Sequence, residues 1–334
     1  NDTALTPTAV NTNVFVISNL SSSTSYTLYI RKYCSATNYS EWISIPFTTE
    51  CGAVNVFPYT QDFEGDFPPV CWDQFYYNTT TAYNWTTSTS ATYVHGGSKA
   101  AYISYSSSSG HAALTTGEFN LTAPDGYYVR LWSYRSAPTS YADLSDDALH
   151  IGYLNAPITA ANINMVNEIG VINRNPTRSP IEPNGEGMYC YEFEVPAGVT
   201  GSVWFAFDFH SQNGLGYAFD DLTIEPIPSC ATPKDAPVVA STTMTTATVT
   251  VNMKNKNLAE VAWVLPTNTD SIIGTATTTT GTAIATGLSG STTYRFMYRF
   301  ICAEGDTSAW SPMGNGTTMA SDCFAPQNVR TVGI

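Results

Sequence analysis

Residues 20–34 read LSSSTSYTLYIRKYC, and residues 288–302 read LSGSTTYRFMYRFIC. The two stretches align without a gap from Leu20 and Leu288 through to Trp42 and Trp310. Tyr26 falls on Tyr294, Arg31 on Arg299 and Cys34 on Cys302, and the tail SEW falls on SAW. Upstream, NDTA at residue 1 falls on TDSI at residue 269. Self-similarity at so long a period marks a repeated domain.

The unit has a readable physics. Leu-x-x-x-Thr-x-Tyr followed by alternating apolar residues describes a turn feeding a β-strand. A tyrosine at the head of such a strand buries its ring and returns its hydroxyl to the preceding turn, the tyrosine corner of β-sandwiches. On these residues the unit resembles a fibronectin type III domain. The second copy runs from about Cys230 to Thr318, opening with CATP and carrying AEVAWVL around Trp263. CFAP at Cys323 matches CATP and reads as the start of a further copy. The expected organisation is the latter half of a fibronectin-like domain over 1–50, a different domain over 52–228, a fibronectin-like domain over 230–320 and the beginning of another over 323–334.

Composition agrees with an all-β, secreted type of protein. Only 12% of the 334 residues are Asp, Glu, Lys or Arg, about half the usual fraction. Polarity comes from Thr and Tyr, which favour strands, and from Ser and Asn, which favour turns. A net charge of −14 makes nucleic acid a poor partner, since phosphate backbones are bound by basic patches, and disfavours anionic membrane surfaces. No apolar run reaches the roughly 18 residues of a membrane-spanning helix.

The middle domain shows strand signals in AAYISYS, YYVRLWSY, DALHIGYL, YCYEFEVP, SVWFAFDF and AFDDLTIEP. Each is short, alternating and aromatic-rich, with turn residues between, which predicts a sandwich or jelly roll. ITAANINMVNEIG (158–170) is the one weak helical candidate, good for a turn or two. DFEGDFPPVCW, GGSKAAYI, DALHIGYL and VWFAFDFHSQNGLGYAFDDLTIE resemble the cleaved-adhesin jelly rolls of large secreted bacterial surface proteins, within a broader class of MAM-like domains and carbohydrate-binding modules. Together the expected fold is a jelly-roll β-sandwich flanked by fibronectin type III-like sandwiches. The resemblance implies adhesins exported by type IX secretion or multimodular polysaccharide-degrading enzymes.

Glu64 lies near the first strand of the middle domain, and Asp220 and Asp221 lie near its last. First and last strands of a jelly roll are often neighbours, and carboxylates gathered there repel unless a hard cation shares them. The resemblance implies a structural Ca²⁺ at this place, held by Glu64, Ser98, Lys99 (through its carbonyl) and Asp220 or Asp221.

None of the seven cysteines forms a C-x-x-C motif, which argues against a zinc ribbon or a redox site. Cys34 and Cys51 flank the last strand of the first copy, as Cys302 and Cys323 flank its equivalent. Disulfides Cys34–Cys51 and Cys302–Cys323 are therefore expected, in keeping with an oxidising, extracellular compartment. Of the remaining three, Cys71–Cys190 and Cys190–Cys230 are both open.

Catalytic signatures are missing: there is no H-E-x-x-H, no G-x-S-x-G and no P-loop. The four histidines are scattered, and His210 in FDFHSQNG reads as a turn residue or a satisfied polar side chain. Tyr76, Tyr77, Tyr83 and Trp85 cluster in CWDQFYYNTTTAYNW, where exposed aromatic faces would make a glycan platform; Trp72 reads as core. DTA at Asp2 and DSI at Asp270 resemble a short bacterial O-glycosylation signal, with Thr3 and Ser271 as acceptors.

The reading that absorbs these features is a non-catalytic segment of a large secreted or cell-surface adhesin. Fibronectin-like spacers carry a calcium-stabilised jelly roll facing a glycan or protein at a cell surface. The alternatives are the accessory carbohydrate-binding region of a secreted hydrolase and a building block of an extracellular filament.

Overall fold

The computed structural model describes residues 8–12, 14–35, 37–79, 82–106, 110–135, 147–173, 187–211, 215–302 and 306–320. Thr3, Cys323 and the whole 323–334 segment lie outside them. The chain divides into two compact units, 1–225 and 226–334.

The first unit opens with β1 (Ser25–Ile30), the short hairpin of β2 (Tyr33–Ser35) and β3 (Asn38–Tyr39), and β4 (Ile43–Thr48) paired antiparallel with β1. The Tyr26 hydroxyl accepts the Ser21 amide at 2.9 Å, closing the expected corner. The apolar side chains Ile30, Trp42, Ile43 and Ile45 are exposed on this ribbon.

The rest of the first unit is a sandwich built from β5 (Tyr59–Gln61), β6 (Asp73–Tyr77), β7 (Thr86–Ser88), β8 (Ala100–Ile103), β9 (Gly110–Thr115), β10 (Phe119–Leu121), β11 (Tyr127–Arg135), β12 (Ala148–Leu154), β13 (Asn167–Asn173), β14 (Gly187–Val195), β15 (Gly201–Ser211) and β16 (Tyr217–Pro226). One sheet runs β13-β12-β15-β9-β6 with β10 on β15; the other runs β14-β11-β16-β8-β7 with β5 on β16. Period-2 alternation decides what each strand buries. On β15, Val203, Phe205, Phe207 and Phe209 enter the core between the sheets, and Trp204, Ala206, Asp208 and His210 take the other face. Phe207 stacks on Phe219 of the opposite sheet at 4.8 Å, and Trp72 stacks on Phe207 at 5.9 Å. Tyr127 forms a further tyrosine corner, its hydroxyl accepting the Thr122 and Ala123 amides at 2.9 and 3.1 Å. The weak helical candidate is a 3₁₀ turn, Ile163–Met165, running into β13. Its Ile163, with Ile158, buries Ala113 and Ala206 on the outer face.

The second unit contains β17 (Val238–Thr242), β18 (Thr246–Thr250), β19 (Ala259–Val264), β20 (Gly274–Thr278), β21 (Thr282–Thr286), β22 (Thr293–Phe300) and β23 (Gly314–Thr317). Sheets β17-β18-β21 and β20-β19-β22-β23 enclose Trp263, Tyr294, Phe296, Tyr298 and Phe300. Tyr294 repeats the Tyr26 corner, accepting the Ser289 amide at 2.9 Å. A Cβ on Gly274 would lie 2.6 Å from Trp263 Cζ2, so the buried indole requires glycine on the neighbouring strand.

The disulfides differ from expectation. Cys51 pairs with Cys71 and Cys230 with Cys302, at Cα separations of 5.7 and 5.8 Å; Cys34 and Cys190 are free and exposed. Antiparallel register explains the correction. Ser25 faces Thr48, so Cys51 lies beyond the start of β1, whereas Cys34 lies beyond its end. At about 3.4 Å per residue, a strand length exceeds the roughly 7 Å that a disulfide can span. Cys302 is committed to Cys230, and Cys323, its expected partner, lies outside the described residues. Cys71–Cys190 and Cys190–Cys230 fail as well, because both partners of Cys190 are already committed.

Candidate functional site

Three carboxylates converge on the segment 95–99, which leads into β8. Strand β16 pairs with β8 up to Phe219 and with β5 from Leu222. Asp220 and Asp221 sit where it changes partner, and Asp221 adopts φ 46°, strained for a side chain without special need. Glu64 lies just past β5. Glu64 Oε1 accepts the Ser98 and Lys99 amides, both at 2.7 Å, and Oε2 accepts the Ser98 hydroxyl at 2.6 Å. Asp220 Oδ2 accepts the His95 and Gly96 amides at 2.8 and 3.1 Å, and Oδ1 accepts the Asp221 amide at 2.8 Å. Asp221 Oδ2 pairs with His95 Nδ1 at 2.6 Å, and the His95 ring stacks on Trp132 at 3.8 Å.

The electrostatics of the two sides differ. The Ser98 hydroxyl and the Ser98 and Lys99 amides hold Glu64 below the usual carboxylate range. Burial pushes Asp220 above it, against the pull of its amide donors. Lys99 enters as an amide donor and as an ammonium, its Nζ donating to the Glu64 carbonyl at 2.8 Å. Carboxylate oxygens are the hard donors that a divalent cation such as Ca²⁺ takes, and here both oxygens of Glu64 and of Asp220 accept amide or hydroxyl hydrogens. Gly96 and Gly97 keep the cradle open, since a Cβ on either would lie 2.6 Å from Asp221 Oδ2 or 2.4 Å from Glu64 Oε1.

The aromatic platform does not assemble. Trp85 is 2% exposed, its indole N–H donating to the Ala112 carbonyl at 2.9 Å and its ring against Phe219. Tyr83 is buried against Phe209 and donates its hydroxyl to the Ser104 carbonyl. Faces committed to the core cannot stack on a sugar, so the expected four-residue cluster is corrected. Tyr76 alone is well exposed, and Tyr77 belongs to a different group on the outer face. Ser271 is exposed in the turn before β20.

Sequence reading missed that group. His111, His150 and His210, far apart in the chain, lie on neighbouring strands β9, β12 and β15. Burial and the adjacent His210 lower the His111 imidazole to about 4, so it is neutral near pH 7. The usable signal was parity: His210 follows Phe205, Phe207 and Phe209 out of phase, which places it on the face opposite the core.

No protein-family model matches this sequence, and no curated protein matches it. Among solved structures, the K1 cleaved adhesin domain of Lys-gingipain from Porphyromonas gingivalis W83 is 16% identical over 51% of this chain and 99% of that one, with TM-score 0.38. TmCBM61 in complex with β-1,4-galactotriose is 15% identical over 49% and 94%, with TM-score 0.33. The sixth fibronectin type III domain of human fibronectin type III domain containing protein 3 is 18% identical over 30% and 94%, with TM-score 0.25. The chain is thus similar to the two groups of modules its sequence resembles. Its all-β character is read from its own strand pairing. Among the described residues no helix is long and apolar enough to cross a membrane.

Proposed function

We propose that this chain is a non-catalytic segment of a large secreted or cell-surface adhesin. Its jelly-roll unit recognises a glycan or protein through loops set on a rigid sandwich, and its fibronectin-like unit is a spacer. The observation that carries the reading is the grip of Glu64, Asp220 and Asp221 on residues 95–99. A loop held from two strands is preordered before any partner arrives, and preorder lowers the cost of binding. The two disulfides support an oxidising, extracellular setting.

Glu64, Asp220, Asp221 and backbone oxygens of this cradle would hold a structural Ca²⁺. When bound, the ion neutralises the mutual repulsion of the three carboxylates. The protein's own part is to place them, which Asp220 does through its amide donors and Glu64 through Ser98 and Lys99.

A glycan array probed with the purified chain, in calcium and again in chelator, tests the reading. Selective, calcium-strengthened retention on a class of glycans supports recognition. An array blank in both conditions, together with no retention on immobilised extracellular-matrix proteins, contradicts it.

A further inference from the structure

The outer face of the β13-β12-β15-β9-β6 sheet carries a cluster unrelated to the calcium cradle. His111 on β9 stands opposite His210 on β15, and His150 on β12 stands opposite Asp208 on β15. The His111 and His210 rings stack at 3.7 Å, and the His150 and His210 rings lie 4.2 Å apart. His210 Nε2 is 2.8 Å from Asp208 Oδ2. Tyr77 on β6 donates its hydroxyl to Asp208 and lies 3.2 Å from His210 Nε2. His150 Nδ1 pairs with Glu168 Oε2 at 2.6 Å.

Two polar atoms in this cluster are left over. Asp208 is 7% exposed, and its Oδ1 is buried without a hydrogen-bond partner. His111 Nδ1 is buried without one too. A buried polar atom with no partner is costly, and native proteins rarely leave two in one cluster without a reason. A carboxylate oxygen and an imidazole nitrogen can each give a lone pair to a metal, and His210 supplies a third such donor beside these two residues.

We propose that His111, Asp208 and His210 form a site for a first-row transition-metal ion of the zinc class. Two imidazoles and one carboxylate are a donor set that such ions take. One ligand atom of each residue lies within 4.8 Å of the other two. Ligand atoms around a tetrahedral zinc sit about 3.3 Å apart, so the rings close on the ion by turning through roughly an ångström. The ion replaces the hydrogen bond between His210 and Asp208 and satisfies His111. Tyr77 orients Asp208, and His150, held by Glu168, packs against the His210 ring; both are positioning residues. Three protein ligands leave one coordination position for water or for a donor from a partner. Nitrogen donors separate this site from the oxygen-lined calcium cradle, which hard cations prefer.

The test uses the untagged full chain, stripped with chelator and saturated with Ca²⁺, then titrated with Zn²⁺ by calorimetry. One Zn²⁺ per chain is expected, and Co²⁺ added instead should give the visible d–d bands of a four-coordinate site. Asp208→Asn should weaken Zn²⁺ binding at least tenfold, and His111→Ala with His210→Ala should abolish it, each with unchanged far-ultraviolet circular dichroism. Glu64→Gln should leave Zn²⁺ binding untouched. Should the variants fail to fold, Cu²⁺ electron paramagnetic resonance of the unaltered chain decides: nitrogen hyperfine structure from two imidazoles supports the site. Absence of Zn²⁺ binding, or unchanged binding in the folded variants, or a Cu²⁺ spectrum without nitrogen coupling, overturns it.

Discussion

The guanidinium of Arg299 lies 4.4 Å from the ring centre of Trp310. In the first copy Arg31 lies 4.5 Å from Trp42. The sequence alignment pairs these same residues, so a surface contact between side chains has been kept together with the tyrosine corner. In the second copy the arginine also pairs with Glu260 on β19 at 2.7 Å, which ties β22 to its neighbour from the outside. An arginine over an indole contributes about 0.5–1 kcal/mol at an exposed site. Arg299→Ala should therefore lower the stability of the second unit by about 1 kcal/mol in equilibrium urea unfolding, and an unchanged midpoint would show that the contact is idle.

The tyrosine corner makes a separate prediction. Tyr294→Phe keeps the buried ring and removes only the acceptor of the Ser289 amide. The expected loss is about 1 kcal/mol. Trp263→Ala, which empties the centre of the same core, should cost about 3–5 kcal/mol. A Tyr294→Phe loss as large as that of Trp263→Ala would mean that the hydroxyl does more than close a turn.

The disulfide pattern is directly checkable. Peptide mapping without reduction should recover Cys51 with Cys71 and Cys230 with Cys302. Recovery of Cys34 with Cys51 would contradict the register of β1 and β4. Cys230–Cys302 closes a separation of 72 residues, and on chain-entropy grounds its removal should cost about 4 kcal/mol. Cys51–Cys71, closing 20, should cost about 3 kcal/mol.

Trp85 separates a sugar platform from a core residue. With its indole bonded to the Ala112 carbonyl and its ring against Phe219, Trp85→Ala should destabilise the first unit by about 3–5 kcal/mol. A variant of unaltered stability that loses glycan retention would restore the platform.

How far the sequence speaks depends on whether the signal is local. Strand β15 was legible because SVWFAFDF alternates large apolar residues with others. Strand β9, GHAALT, was not, because Gly and Ala have no strand preference and its burial comes from partners on both sides. Tyr26 and Tyr294 announced their corners through the turn that precedes them, whereas Tyr127 uses a different turn, LTAPDGY, and went unread. Equivalent position in a repeat is not proximity: the antiparallel pairing of β1 and β4 sets Cys34 and Cys51 at opposite ends of β1, and Cys51 bonds Cys71 instead. The neighbourhood of the first and last strands was foreseeable from the fold class, and β5 does pair with β16. The meeting of His111, His150 and His210 depends on the order of β9, β15 and β12, which no local pattern contains.

Calcium is the point on which the functional reading turns. The decisive measurement is the thermal unfolding of the first unit in excess Ca²⁺ and in chelator, for the unaltered chain and for Glu64→Gln and Asp220→Asn. At a hundredfold excess over the dissociation constant the ion adds about 2.7 kcal/mol, which raises the midpoint by about 5–10 °C for a unit of this size. The account predicts that rise in the unaltered chain and its loss in both variants. Superimposable unfolding curves for the unaltered chain with and without calcium would contradict it.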